Sequence, residues 1–182
     1  MEKNQWAIPS LETDRLLLRQ LSSNDIDDIF FLFSDPQVMK FEGEITMTDR
    51  KQAEQYVAMF GNPFWYVAQQ SVVWAFVEKE TNRVIGTGGL RHWNGGSRAE
   101  VGLDVVQDCW SKGYGSEALH AMIAFAFQTL KLHEVYAYIH TKNKAAVQLV
   151  KRAGFEYRGS VENYPLANQY VQALFFIKKK FP

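Results

Sequence analysis

Asp104-Val105-Val106-Gln107-Asp108-Cys109-Trp110-Ser111-Lys112-Gly113-Tyr114-Gly115-Ser116-Glu117 joins a β-prone run to the start of a helix through two glycines separated by one residue. Upstream, Ala99 to Val106 alternates in the period of a strand, with Ala99, Val101, Leu103 and Val105 on one face and Glu100, Gly102, Asp104 and Val106 on the other. From Ser116 onward the period turns helical, and Leu119, Met122, Ile123, Ala126, Phe127 and Leu130 trace one buried stripe. Glycine allows a backbone to approach a ligand with no Cβ in the way, and the first turn of a helix presents unpaired N–H groups at the positive end of its dipole. The junction is therefore either a tight strand-to-helix turn or an anion cradle suited to phosphate. It has neither the Gly-Lys-Ser/Thr ending nor the Gly-x-Gly-x-x-Gly opening of the common nucleotide signatures.

Outward from this junction the pattern is a mixed α/β arrangement around one sheet. Toward the amino terminus, Val84 to Trp93 and Val72 to Val77 form a hairpin around Thr81 and Asn82, and Gly95 and Gly96 make the turn into the alternating strand. Before them, Thr13 to Leu21 is a leucine-rich strand, and Ser22 to Asp25 offer N-cap chemistry to a helix carrying Ile26, Ile29, Phe30 and Phe33. A second helix over Asp49 to Phe60 stops at Gly61. Toward the carboxyl terminus, a strand spans Glu134 to His140. Asn143 then caps a helix with Ala146, Leu149, Val150 and Ala153 inward, Gly154 ends it, and extended structure resumes at Phe155.

The 182 residues show no repeat and no linker, so one domain over 1–182 is expected, with 47% hydrophobic and 22% charged residues filling and covering one core. Twenty Lys and Arg balance twenty Asp and Glu, which removes the general attraction that nucleic-acid and anionic-membrane binders use. The single cysteine, Cys109, and four scattered histidines give no disulfide and no metal-ligand spacing, so no metal is expected. Met1 to Pro9 lacks an apolar signal core and no later apolar run is long enough to span a bilayer, so the chain reads as soluble and cytoplasmic. Lys178, Lys179 and Lys180 read as a solubilising tail.

The junction resembles the acyl-CoA motif (Arg/Gln)-x-x-Gly-x-(Gly/Ala) of the GNAT superfamily of N-acetyltransferases, standing here as Trp110-Ser111-Lys112-Gly113-Tyr114-Gly115. Trp at the first position, with Gly-Tyr-Gly and Glu117-Ala118-Leu119 after it, is similar to the branch that acetylates ribosomal-protein amino termini. Leu11 to Arg19, Ala99 to Leu103 and Asn143 to Phe155 also resemble that branch's first strand, fourth strand and last helix, so the likeness spans nearly the whole chain. It implies an α/β (α+β) fold with one mixed, mostly antiparallel central sheet, splayed between its fourth and fifth strands and flanked by helices on both faces. It also implies acetyl-CoA as acyl donor, with Val105 and Val106 pairing their backbone with the pantetheine amides, Lys112, Gly113, Tyr114, Gly115 and Ser116 holding the pyrophosphate, and Asn143 contacting the cofactor. Each has a plain structural reading beside it: core packing for the valines, a helix cap for Asn143, a solvated side chain for Lys112. Dimers occur in the superfamily, which leaves a homodimer open.

Amide formation on a thioester needs a neutral amine, a positioned donor and a means of handling the oxyanion and thiolate. An α-amine, with a pKa of about 7.7 to 8.0, is easier to present neutral at pH 7 than a lysine near 10.4, by roughly 3 kcal/mol. Glu100 is the candidate base. It shares a face with Gly102, where missing side-chain bulk leaves room for substrate, and the family pattern favours the same position; the competing reading is a strand residue ion-paired with Arg98 or Arg91. Asp104 lies roughly 13 Å along the strand, too far to share a proton. The tyrosine that many members carry after the last-helix leucine is Val150 here, and the serine of some ribosomal-type relatives is Ala146, so no general acid is assigned, with Tyr138, His140 or water as substitutes. Cys109 has no histidine beside it in sequence, and direct transfer needs no thiol. Trp65, Tyr66, Trp93, Tyr164 and Tyr170 are core, rim or acceptor-pocket aromatics, and Glu42 and Glu44 would favour a cationic acceptor. The function expected is acetyl transfer from acetyl-CoA to a primary amine, a protein N-terminal α-amine before a small-molecule amine; the alternative is an acyl-CoA-binding module with weakened catalysis.

Overall fold

Eight strands form a single sheet in the order β1-β2-β3-β4-β5-β6-β8-β7 in a computed structural model that describes residues 7–43, 46–93, 95–166 and 169–180. The strands are β1 (Leu11–Glu12), β2 (Leu16–Arg19), β3 (Ser71–Glu78), β4 (Val84–Arg91), β5 (Arg98–Val105), β6 (Glu134–His140), β7 (Glu156–Leu166) and β8 (Gln169–Lys179). The helices are α1 (Ile26–Phe33), α2 (Pro36–Met39), α3 (Arg50–Phe60), α4 (Phe64–Val67), α5 (Tyr114–Gln128) and α6 (Lys144–Arg152). Because the two-residue β1 precedes the leucine-rich strand, the fourth and fifth strands of the sequence reading are β5 and β6. All neighbours pair antiparallel except these two.

The helix ends follow the capping residues. Asp49 caps α3 by accepting from the Lys51 amide, and Gln52 completes a capping box, accepting from the amides of Thr48 and Asp49 at 2.8 and 3.0 Å. At the entry to α1, Asp25 is buried yet bonded to both Arg19 terminal nitrogens at 2.7 and 2.8 Å and to the Ser22 amide. Gly154, at φ +82°, turns the chain out of α6 in the left-handed conformation that L residues resist. Two short helices, α2 and α4, escaped the sequence reading: Pro36 occupies the first turn of α2 after an Asp35 cap, so the proline that ends α1 also starts the next turn. The Lys178 to Lys180 run is no tail, since Lys178 and Lys179 are the last rungs of β8 opposite Val135 and Glu134.

The sheet is covered on both faces. On one, Trp74 packs edge-on against Phe125 of α5, with ring centroids 5.2 Å apart. On the other, α1 lies over β4, where Asp28 accepts from the Val84 amide at 2.8 Å, and α3 packs on α1 through Phe33 and Tyr56. Trp74, Phe76, Leu90, Leu119 and Met122 have 2% exposure or less, and each such apolar side chain contributes about 1.5–3 kcal/mol relative to exposure.

One break in the sheet matters most. The β5–β6 pairing covers only Arg98↔Glu134, Ala99↔Val135 and Glu100↔Tyr136, although both strands run on to Val105 and His140. Beyond Glu100 the two strands separate, and a gap opens through the sheet.

Candidate active site

The gap between β5 and β6 is a slot of about 110 Å3, lined along β5 by Val101 to Leu103, along β6 by Ala137 to His140, and closed by Asn143, Ala146 and Leu149 of α6. A larger chamber of about 680 Å3 lies between α1, α3 and β4–β5, reaching Thr87, Gly89, Gly102 and Asp104 on the sheet. Glu42, Arg91, Gly102 and Leu103 line both spaces. A Cβ on Gly102 would stand 3.3 Å from Arg91 Nη2, so glycine keeps the passage between them open.

Glu100 stands at this passage, 4% exposed. Arg91, its direct partner across the β4–β5 pairing, donates from Nη2 to Oε1 at 3.1 Å, and the Tyr164 hydroxyl donates to the same oxygen at 3.4 Å. The ion-pair partner is thus Arg91; Arg98 lies over the Tyr136 ring instead. Desolvation pulls the Arg91 guanidinium down, but the Glu100 carboxylate outweighs it and leaves Arg91 firmly cationic. Burial first, and the Glu100 charge second, hold the Tyr164 phenol well above its ordinary value, so it remains a donor. Tyr164 stacks on Tyr138 at 4.4 Å, and Tyr138 on Phe175 at 4.8 Å, a column that fixes the hydroxyl from the β7 side.

The glycine turn lies at the start of α5. Gly113 has φ +88°, which the turn requires. Gly115 does not need to be glycine for the turn: a Cβ there would meet Leu103, Val105 and Leu149 at ordinary contact distances of 3.5, 3.8 and 3.9 Å. Helical bonding begins with the Glu117 amide to Gly113 carbonyl, leaving the amides of residues 114–116 without an intrahelical acceptor. Tyr114 turns its ring under Arg15, 4.2 Å away, and bonds through its hydroxyl to Glu78, so only its backbone belongs to the turn. Lys112 is exposed, and its carbonyl accepts from Arg15 Nη1 at 3.0 Å; Ser116 directs Oγ toward His120.

The strand end is more selective than the sequence implied. The Val106 amide is donated to Ile85 on β4, and the Val105 carbonyl accepts the Trp110 indole N–H at 2.6 Å. Antiparallel alternation then aims the peptide groups of residues 102, 104 and 106 at β4, and those of Val101, Leu103 and Val105 at the gap. Val101 and Leu103 escaped the sequence reading, because register across a splayed sheet is set by pairing and not by side-chain pattern. Asn143 both caps α6, accepting from Ala146 at 3.1 Å, and lines the slot, so its two readings coexist.

Other candidates fall elsewhere. Cys109 is buried, and burial foremost, with the Asp108 charge behind it, pushes its thiol up. His140 lines the slot, but its Nδ1 accepts from the Lys142 amide and its ring lies against Phe41. Trp65 lines the chamber, Tyr66 packs against Phe125, Trp93 is buried and Tyr170 is exposed. Glu42 lies at the passage; Glu44 lies outside the described residues. Among the described residues no group of three potential ligands could hold a metal, and no helix is long and apolar enough to cross a membrane.

A family model described as an acetyltransferase (GNAT) domain matches residues 15–156. The chain belongs to the GNAT acetyltransferases. It is an acyl-CoA-dependent N-acetyltransferase. The uncharacterized N-acetyltransferase YoaA of Bacillus subtilis (strain 168) is 30% identical over 165 residues, covering 88% of this chain and 90% of that protein. A putative ribosomal-protein-serine acetyltransferase from Vibrio cholerae shares the GNAT fold with a TM-score of 0.82 at 20% identity, over 94% of this chain and 98% of that one. Spermidine N-acetyltransferase from Vibrio cholerae, solved with CoA and spermine, shares it with a TM-score of 0.76 at 18% identity, over 92% and 96%.

Proposed function

We propose that this GNAT enzyme transfers acetyl from acetyl-CoA to the α-amine of a peptide N-terminus, with Glu100 as general base at the passage between slot and chamber. The observation that carries this is the position of Glu100: a buried carboxylate lining the slot and held by Arg91, which lines slot and chamber alike. The donor lies in the slot, its pantetheine amides against the peptide groups of Val101, Leu103 and Val105. Its pyrophosphate rests on the amides of the 113–116 turn with Lys112 beside it. Gly115, which the chain's own packing does not require, supports this reading, because close approach of a ligand gives it a reason.

The acceptor enters from the chamber as an ammonium and loses a proton to Glu100, directly or through one water. The free nitrogen attacks the thioester carbonyl carbon, the C–N bond forms, and the C–S bond breaks with its electron pair on sulfur; the second proton of the now cationic nitrogen passes through water to solvent or to the thiolate, and Glu100 returns its own proton to solvent. Arg91 and Tyr164 hold the carboxylate in place. Ala146 and Val150 offer the departing thiolate no proton, and a CoA thiol is acidic enough to leave without one. The α-amine is preferred to a lysine side chain because its lower pKa makes the neutral form cheaper by roughly 3 kcal/mol.

Those two apolar positions also motivate the second reading, a module that holds acyl-CoA but turns over poorly. Glu100→Gln separates the two. In steady-state assays of CoA release, the substitution is expected to lower kcat/KM for the acceptor by about 10²–10⁴-fold while acetyl-CoA affinity stays within about threefold. Absence of turnover with every amine would favour the module.

A further inference from the structure

We infer that the chamber selects acceptors whose amine is attached to a bulky apolar side chain, so that the preferred N-terminal residue is Phe, Leu or Met and not Ser or Ala. This deepens the acyl-transfer reading above and rests on it. The walls of the chamber are Phe33, Met39, Tyr56, Met59, Phe60 and Trp65. Tyr56 sits between Phe33 and Phe60, with ring centroids 5.0 and 4.5 Å away, making a continuous aromatic wall. The thioethers of Met39 and Met59, which also line the chamber, adapt their shape and contact aromatic guests favourably. Gly89 and Gly102, partners across β4 and β5, leave the floor without side-chain bulk next to Glu100.

The space is on the scale of small-ligand clefts, generally about 300–1,000 Å3, and is far more than an alanine or serine side chain fills. An apolar wall left facing a small residue must stay wetted, whereas a large apolar side chain displaces that water. The charges point the same way. Among the described lining residues the two carboxylates, Glu42 and Asp104, share the chamber with the guanidinium of Arg91, which gives a substrate with several ammonium groups no row of acids to follow. The mouth is polar and open: Met59 is 51% exposed, and the exposed Gln55 and Gln70 stand at the rim, where their amides can meet the peptide chain as it leaves.

The test is a set of peptides identical after the first residue, beginning with Phe, Leu, Met, Ala or Ser, assayed for acetyl-CoA-dependent acetylation beside phenethylamine and spermidine. Phe, Leu and Met peptides are expected to exceed Ala and Ser peptides in kcat/KM by about 10- to 100-fold. Met59→Glu, at a half-exposed rim position that the fold tolerates, is expected to bring that ratio below about three, with the thermal midpoint checked in parallel. Equal or higher kcat/KM for Ser or Ala, or for spermidine, would overturn the selection while leaving acyl transfer standing. Turnover of phenethylamine with none of any peptide would keep the apolar selection and overturn the N-terminal reading beneath it. No turnover of any of these amines would overturn both.

Discussion

A buried polar group needs partners to replace the water it has lost, and Glu100, with 4% exposure, has two, the Arg91 guanidinium and the Tyr164 hydroxyl. The alternation of Ala99 to Val106 is enough to place Glu100, Gly102 and Asp104 on one face; the choice between Arg98 and Arg91 as a partner waits for the β4–β5 register, which selects Arg91. Nor can the alternation show Tyr164, sixty-four residues away and brought in by the β7 side of the sheet. Cys109 is the opposite case, a reactive side chain beside the glycine turn that its environment silences. Burial raises its thiol, so little thiolate is present near neutral pH. Cys109→Ala is expected to retain kcat within about twofold, and the wild-type thiol to react with a thiol reagent at pH 7.5 at least tenfold more slowly than a free cysteine. Loss of activity in Cys109→Ala, with the fold intact, would bring a covalent acyl-enzyme back into consideration.

At the scale of elements, the strand-to-helix junction is held from outside. Glu117, in the first turn of α5, accepts from Thr13 Oγ1 at 2.6 Å, from the Arg15 amide at 2.8 Å and from Arg15 Nε at 2.8 Å, while Arg15 Nη1 donates to the Lys112 carbonyl. These bonds fasten the glycine turn to β2 across about a hundred residues of chain, a separation at which local pattern carries no information. The turn was legible as a strand-to-helix junction; its clamp was not. Desolvation opposes ionisation of Glu117, but the bonds from Thr13 and Arg15 win and hold its carboxyl below the ordinary value of 4.5. Asp25 is held down in the same way by Arg19 against its own burial. A depressed folded pKa means stability that is fully present above the unfolded value and lost as pH falls through the folded one. Glu117→Gln is therefore expected to cost about 1–3 kcal/mol at pH 7 by urea unfolding, to lessen the decline in stability below pH 4.5, and to raise KM for acetyl-CoA several-fold. A variant with unchanged KM and an unchanged acid limb would remove the clamp's role.

Across the whole molecule, the proposed donor slot and acceptor chamber meet at one break in the sheet, where Glu42, Arg91, Gly102 and Leu103 line both. The location of the splay was only what the resemblance carried by residues 110–115 implied, whereas the order of elements followed from periodicity, because α5, β6 and α6 announce themselves locally. The chamber did not, because its walls come from α1, α3, the α4 turn and two strands that meet only in the folded chain. Its aromatic and thioether lining is what the proposed apolar preference rests on, beside the Glu42 charge from which, with Glu44, a cationic acceptor is expected. On the proposed mechanism, with the donor in the slot and the acceptor in the chamber, both substrates are bound at once and no acyl group is carried by the protein. The most direct test is initial-rate kinetics with acetyl-CoA and a Phe-initiated peptide varied together. Intersecting double-reciprocal lines, with no release of CoA in the absence of acceptor beyond slow hydrolysis, are the expected result; parallel lines with a stoichiometric burst of CoA before acceptor is added would contradict the account.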